Sequence, residues 1–335
     1  MTDTPITLPA PPASLPAARR FAGIIVLLVV AAGVAAFAEG FVLFQVTLGM
    51  NLAIAVLGLN MLVGYSGQIS LGHGAFFAIG SYFAAIAMDH FGAPYWVALL
   101  AAPILCFVVG VLFGVPALRL EGHYLALATF ALAVAVPQLL KWKRIEAWTG
   151  GVQGISLAKP EAPALLPLTP DQWLYLLTFA AALAAFAGAR NLLGGRMGRA
   201  MLAIRDQPIA AAAMGIDVAR VKTLTFGLSA LYTGFAGAMT AVVVQFVSPD
   251  SFPVFLSITL MVGVIVGGLA TISGAVFGAA FIQFVPNLVD QVSKSATWAI
   301  YGLLIVVVVF AFPGGISEGL RLLWDKAAAR VRGRG

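Results

Sequence analysis

An all-α, polytopic transmembrane bundle is the fold class this sequence predicts, and three observations predict it. Of 335 residues, 61% are hydrophobic and only 10% are charged, against about 25% charged in a soluble domain. Mean hydropathy is +1.01, carried by repeated apolar runs of about 17–25 residues, the length that crosses a bilayer as a helix. Runs such as 300–312 are continuously apolar. A membrane β-barrel would alternate apolar and polar residues instead. The 36 glycines suit helices that approach closely in lipid.

Taken in order, residues 1–18 are rich in Pro, Ala and Thr and read as a disordered cytoplasmic N-terminus. Arg19 and Arg20 precede an apolar run that ends at Ala36-Phe37-Ala38, a sequence like a signal-peptidase site. The run is about 18 residues, longer than the usual 7–15 of a signal peptide, so an uncleaved first span is favoured. About ten spans follow from hydropathy, near 21–38, 41–63, 70–88, 95–117, 123–140, 172–189, 221–246, 254–271, 274–290 and 296–312. The membrane domain thus covers 19–316, and 317–335 is a basic tail.

Basic residues fix the orientation. With both termini in the cytoplasm, Arg19, Arg20, Arg119, six residues of the segment 190–222 and five of the tail lie inside, 14 of the 19 Lys and Arg. This placement accounts for the net charge of +6 and the pI near 9.7 without nucleic acid as a partner. Lys141-Trp142-Lys143-Arg144 fall outside as a local exception, diluted by Glu146, Glu161 and Asp171. They open the longest external loop, 141–171, which reads either as a docking surface for an external protein or as a passive cover. No Lys, Arg, Asp or Glu lies well inside a predicted span, which argues against proton coupling. Cys106 is the single cysteine and stands in an apolar run, and His73, His90 and His123 share no metal-ligand spacing.

Between the second and third spans runs Gly64-Tyr65-Ser66-Gly67-Gln68-Ile69-Ser70-Leu71-Gly72-His73-Gly74. Its glycines permit tight turning, and Ser66, Gln68, Ser70 and His73 can satisfy freed backbone groups. Helix packing and direct lining of a transport path both fit, with Asn60, Gly64, Ser66, Gln68 and His73 as path candidates. A weaker echo, Gly267 to Gly278, lies on the same predicted side, and its Gly274-x-x-x-Gly278 spacing suits helix contact. Asn51, Asn60, Gln138 and Gln283 are polar at depth and read first as interhelical hydrogen bonders, second as path-lining groups. A catalytic set at depth would need more than His73 beside Ser66 and Ser70.

The segment 190–222 cannot sit in hydrocarbon. Within it Asp206 reads as an N-cap, Pro208 as a first-turn residue, 209–214 as an alanine-rich helix and Gly215 as its stop. A helix of about two turns is unstable alone in water and must pack on something. Either the chain's own helix ends or the groove of a soluble partner would serve.

Several segments in order, GYSGQISLGHGAFF (64–77), PALRLEGHYLAL (116–127), TGGVQGIS (149–156), GRAMLAIRDQPIAAAAMG (198–215), FVSPDSF (246–252) and FPGG (312–315), resemble the branched-chain amino acid ABC-transporter permeases of LivM type. The resemblance covers about 48–315. It implies an inner-membrane subunit paired with a second, similar permease, two cytoplasmic ATPases that hold ATP and Mg, and a periplasmic binding protein that delivers substrate. This chain would itself hold no cofactor. The family's coupling segment falls on Ala203, Arg205, Asp206, Ala210, Ala211 and Gly215, although Ile209 stands where the wider ABC pattern has Glu. The implied cargo is leucine, isoleucine or valine; relatives also carry urea, amides or aromatic and other carboxylates. An autonomous secondary transporter is the remote alternative.

Overall fold

The structure is a computed structural model that describes residues 29–120, 122–163, 167–292 and 296–322. It is a helical bundle of α1 (29–37), α2 (Gly40–Asn60), α3 (His73–Asp89), α4 (Tyr95–Ala117), α5 (His123–Leu140), the single turn α6 (Glu146–Thr149), α7 (Pro170–Gly194), α8 (Arg196–Asp206), α9 (Pro208–Ala213), α10 (Val218–Val244), α11 (Val254–Gly267), α12 (Ile272–Val292), α13 (Thr297–Ala311) and α14 (Ile316–Leu322). Among the described residues, seven helices are long and apolar enough to cross a membrane, or eight if the bent pair α13–α14 is one span. Of the remaining expected segments, 70–88 is the 17-residue α3, and 21–38 is described from residue 29 on, as α1. The expected disordered 1–18 and most of the basic tail lie outside the described residues.

The outer faces are apolar. On α4, Leu100, Ile104, Leu112 and Val115 are each more than half exposed and recur at helical spacing. Such a stripe is untenable in water and at home in lipid. Inside, α10 packs on α2, α3 and α4. Its glycines make this possible: a Cβ at Gly237 would run into the Phe77 carbonyl, and one at Gly80 into the backbone of Gly234. The expected Gly274 and Gly278 contact is present, against Gly267 and Gly263 of α11. With little apolar driving force between helices in lipid, this close backbone approach does the work of assembly.

The segments expected on opposite sides gather at opposite ends. At one end the turn 66–72, the turn 268–271, α8, α9 and α14 meet. At the other, Lys141 forms an ion pair with Asp250, and Lys159 with Asp171. There the stretch 141–156 is built into short elements. Gly150 and Gly154 adopt left-handed φ of 69° and 77°, which turns the chain so that β1 (Ile155–Ser156) pairs antiparallel with β2 (Phe246–Val247). This two-residue ladder is a small departure from an all-α fold, and it ties the loop to the end of α10.

Candidate functional site

The site starts where α2 ends. Its last turn widens into a π-helix, Met61–Tyr65, a rare form that is frequent at functional sites. The chain then reverses through Ser66 to Gly72 into α3. Asn60 lies beneath this reversal, 1% exposed. Its amide donates to the Gly268 carbonyl at 3.2 Å and the Thr271 carbonyl at 2.9 Å, and accepts from the Ala270 N–H at 2.9 Å. One side chain thus joins the two glycine-rich turns. Gly64 has no room for a side chain, since a Cβ would meet the Asn60 amide and the Ala270 backbone.

His73 is fully buried at the start of α3. Nε2 lies 2.6 Å from the Ser229 hydroxyl and Nδ1 lies 2.9 Å from that of Ser70. Ser229 spends its one proton on the Gly58 carbonyl, at 2.6 Å. It therefore accepts from Nε2–H, and Nδ1 accepts from Ser70. The chain of bonds orients α2, α3 and α10 about one neutral ring. Phe76 and Phe226 pack around it. A nucleophile role for Ser70 or Ser66 finds no acidic third member in this network.

α8 buries Gly198, Met201 and Ile204 and exposes Arg196, Arg199, Arg205 and Asp206. It runs through Asp206, so Asp206 does not cap α9. The reason is Pro208, which forces the residue before it out of the helical region. Gln207 is extended (φ −153°, ψ 91°) and stands at the N-cap position without a side-chain bond. Asp206 turns instead to Arg205, whose Nε and Nη2 each lie 2.9 Å from its Oδ1. The remaining expectations for α9 hold: Pro208 is its first residue, and it ends at Gly215 with φ 82°. The Gly215 and Ile216 amides donate to the Ala212 and Ala211 carbonyls at 3.0 and 3.1 Å, which closes the helix in a Schellman turn. Ala211 is buried against the protein, whereas Ala210 is exposed and Ile209 and Met214 are 83% and 84% exposed.

Arg205 joins the two regions. Its Nη1 donates to the Gly64 carbonyl at 3.0 Å. Gln68 donates to Ser66 Oγ at 2.9 Å and to the Lys222 carbonyl at 3.3 Å. Between them opens a cleft of about 170 Å³ lined by Ser66, Gln68, Arg205, Pro208 and Lys222, with Leu118 and Leu120 from the end of α4. Thus Ser66, Gln68 and Arg205 share one cleft, while Asn60 and His73 sit behind it as tethers. Ala203 is half-buried one turn before its rim. At the opposite end a second cleft, of about 230 Å³, is lined by Leu48, Leu52, Phe77, Phe252, Leu256 and Gln283. Gln283 donates to Gln45 of α2. Gln45 escaped the sequence reading because one amide near the end of an apolar run has no pattern around it.

Long apolar helices, glycine crossings and polar turns gathered at one end define a multi-pass α-helical membrane protein. The chain belongs to the family described as the permease component of the branched-chain amino acid transport system, whose profile matches residues 41–312. It is 31% identical over 287 residues to the high-affinity branched-chain amino acid transport system permease protein LivM of Escherichia coli K12, covering 79% of this chain and 67% of that one. It is 24% identical over 300 residues to the corresponding LivH of Salmonella typhimurium LT2, covering 81% and 92%. The autoinducer 2 import system permease LsrC of Klebsiella pneumoniae is 27% identical over 184 residues, covering 52% of each. No solved structure matches the chain.

Proposed function

We propose that this chain is a membrane subunit of an ATP-driven importer of leucine, isoleucine or valine. It spans the bacterial inner membrane about ten times, with both termini, α8, α9 and the glycine-rich turns in the cytoplasm. A second permease subunit of the same family completes the path, membrane lipid surrounds the pair, and a periplasmic protein delivers the solute to the opposite end. ATP and Mg are held by two cytoplasmic ATPase subunits and not by this chain.

The observation that carries the reading is the position of α9. It projects Ile209 and Met214 into solvent, yet it is joined through α8 and Arg205 to the π-helical end of α2. Large apolar side chains exposed on a two-turn helix beside a basic segment suit a groove in a soluble partner. A displacement of α9 would reach α2 through a hydrogen bond rather than through loose loop. α2 packs on α7, α10 and α12, so the motion enters the bundle at its centre.

Co-expression of the chain with its neighbouring subunits and purification in mild detergent tests this. The expected result is a complex that holds a second permease and two ATPases and, in liposomes with the binding protein, accumulates leucine only with ATP. A lone chain that transports without ATP overturns it.

A further inference from the structure

Where α2 and α12 pack together, they bring three carboxamides to one place. Gln45 and Gln283 are half-buried and Asn287 is exposed. An amide facing hydrocarbon without a partner is strongly unfavourable, and the apolar stripe of α4 shows what a lipid-facing surface of this protein looks like. The amides bond to one another, and the groups they leave over call for a polar neighbour. Gln283 supplies an amide to the 230 Å³ cleft, which Ser81, Thr240 and Ser251 also line beside the leucines and phenylalanines already named, and Gln45 adjoins the cleft through its bond to Gln283.

The amides leave a definite set of bonds unmade. Gln283 Nε2 donates to Gln45 Oε1, and Asn287 Nδ2 donates to the Gln283 main-chain carbonyl at 2.8 Å and lies 3.4 Å from Gln45 Oε1. Two donors converge on Gln45 Oε1, which fixes the orientation of that amide. Among the described residues, the Gln45 amide nitrogen and the Gln283 side-chain oxygen have no partner. The hydroxyls on the same wall are taken: Ser81 donates to the Phe77 and Gly237 carbonyls at 2.9 and 2.8 Å, Thr240 donates to the Ala236 carbonyl at 2.9 Å, and Ser251 shares a bond with the Ser248 hydroxyl at 3.0 Å.

We propose that Gln45 and Gln283 form a carboxamide pair that holds the zwitterionic head of an α-amino acid. The inference rests on the amino-acid reading above. Gln45 Nε2 presents N–H donors for the carboxylate, and Gln283 Oε1 presents an acceptor for the ammonium. The Leu48, Leu52, Phe77 and Phe252 wall takes an aliphatic side chain. No formal charge is needed, because the ligand's own charges cancel. Neutral partners also suit a path, where a solute must bind well enough to enter and weakly enough to leave.

The test uses the complete transporter in liposomes, with its partner permease, ATPases and saturating binding protein loaded with radiolabelled leucine. The ratio of leucine moved to ATP hydrolysed is read for the wild type, Gln45→Met and Gln283→Met. Each variant should lower the ratio about tenfold, the worth of a hydrogen bond or two made in transit, while binding-protein-stimulated ATP hydrolysis stays near wild type. The double variant should lose little more than either single one, because the pair acts as a unit. If a Met variant fails to assemble, Gln283→Asn and Gln45→Asn, which withdraw the amide by one methylene, should show the same loss. Wild-type ratios in all variants overturn the pair and leave the importer standing. A wild type that hydrolyses ATP but moves no amino acid overturns the amino-acid reading, and the zwitterion site with it.

Discussion

Arg205 donates a hydrogen bond to the main-chain carbonyl of Gly64 across 141 positions of sequence, at 3.0 Å. That carbonyl sits in the π-helical end of α2, where a further turn of helix would otherwise have claimed it. The same guanidinium holds Asp206, so one side chain fixes the α8–α9 junction to the membrane bundle. Arg205→Ala removes a charge-assisted bond that is partly open to solvent, worth about 1 kcal/mol after that allowance. Transport per ATP should fall about fivefold, with normal membrane insertion. Arg205→Lys cannot serve both partners with a single fork and should fall between the two. Unchanged coupling in Arg205→Ala, read in liposomes, would show that force enters elsewhere.

Asn60 carries a structural prediction. Asn60→Leu would strand the Thr271 carbonyl and the Ala270 N–H in a partly buried site and leave the Gly268 carbonyl to the Thr271 hydroxyl alone. At about 1–3 kcal/mol for each unsatisfied group, the variant should lose most of its thermal stability in detergent. Asn60→Asp should also destabilise, because it keeps the acceptor for Ala270 and sets a carboxylate oxygen against two carbonyls. A melting temperature within a degree of wild type for Asn60→Leu would contradict the tether.

The α3–α10 crossing makes a sharper contrast between two glycines. A Cβ at Gly237 meets the Phe77 carbonyl and the Ser81 hydroxyl, whereas one at Gly302 of α13 meets nothing within 4 Å. Gly237→Ala should destabilise by about 1–3 kcal/mol through overpacking, and Gly302→Ala should be neutral or slightly stabilising, as alanine is in a helix. Thermal unfolding in detergent separates them, and equal midpoints would refute the packing argument.

What the sequence made legible follows from which forces act over many residues. Hydrocarbon demands long apolar runs, so α4 and α5 coincide with the expected 95–117 and 123–140. Gly215 announced a helix end because few other residues take its φ. α8 was missed: its buried Gly198, Met201 and Ile204 were too few to stand out in a segment read for charge. The Asp206 cap failed because Pro208 acts on its neighbour Gln207 and moves the helix start one residue on. β1 and β2 are two residues each, too short for alternation to register. Contacts such as Arg205 with Gly64, or Gln45 with Gln283, depend on tertiary geometry that no local pattern encodes.

The orientation itself yields a direct prediction, because the chain has one cysteine, Cys106, and it is buried. Single cysteines placed elsewhere therefore report without background. Val152 is 64% exposed at the end that holds β1 and β2, and Ile209 is 83% exposed at the opposite end. On the proposed orientation, which follows the bias of 14 among 19 basic residues in spite of Lys141, Lys143 and Arg144 beyond the other face, Ile209 would face the cytoplasm. In intact spheroplasts a membrane-impermeant maleimide should label Val152→Cys and spare Ile209→Cys, and inverted vesicles should reverse the pattern. Within the assembled complex, labelling of Ile209→Cys should drop about tenfold relative to the chain alone, the protection expected of a side chain that enters a desolvated groove. Labelling of Ile209→Cys in spheroplasts would invert the whole arrangement. Full reactivity in the complex would free α9 from the ATPase and return its two exposed apolar side chains to the list of features without a partner.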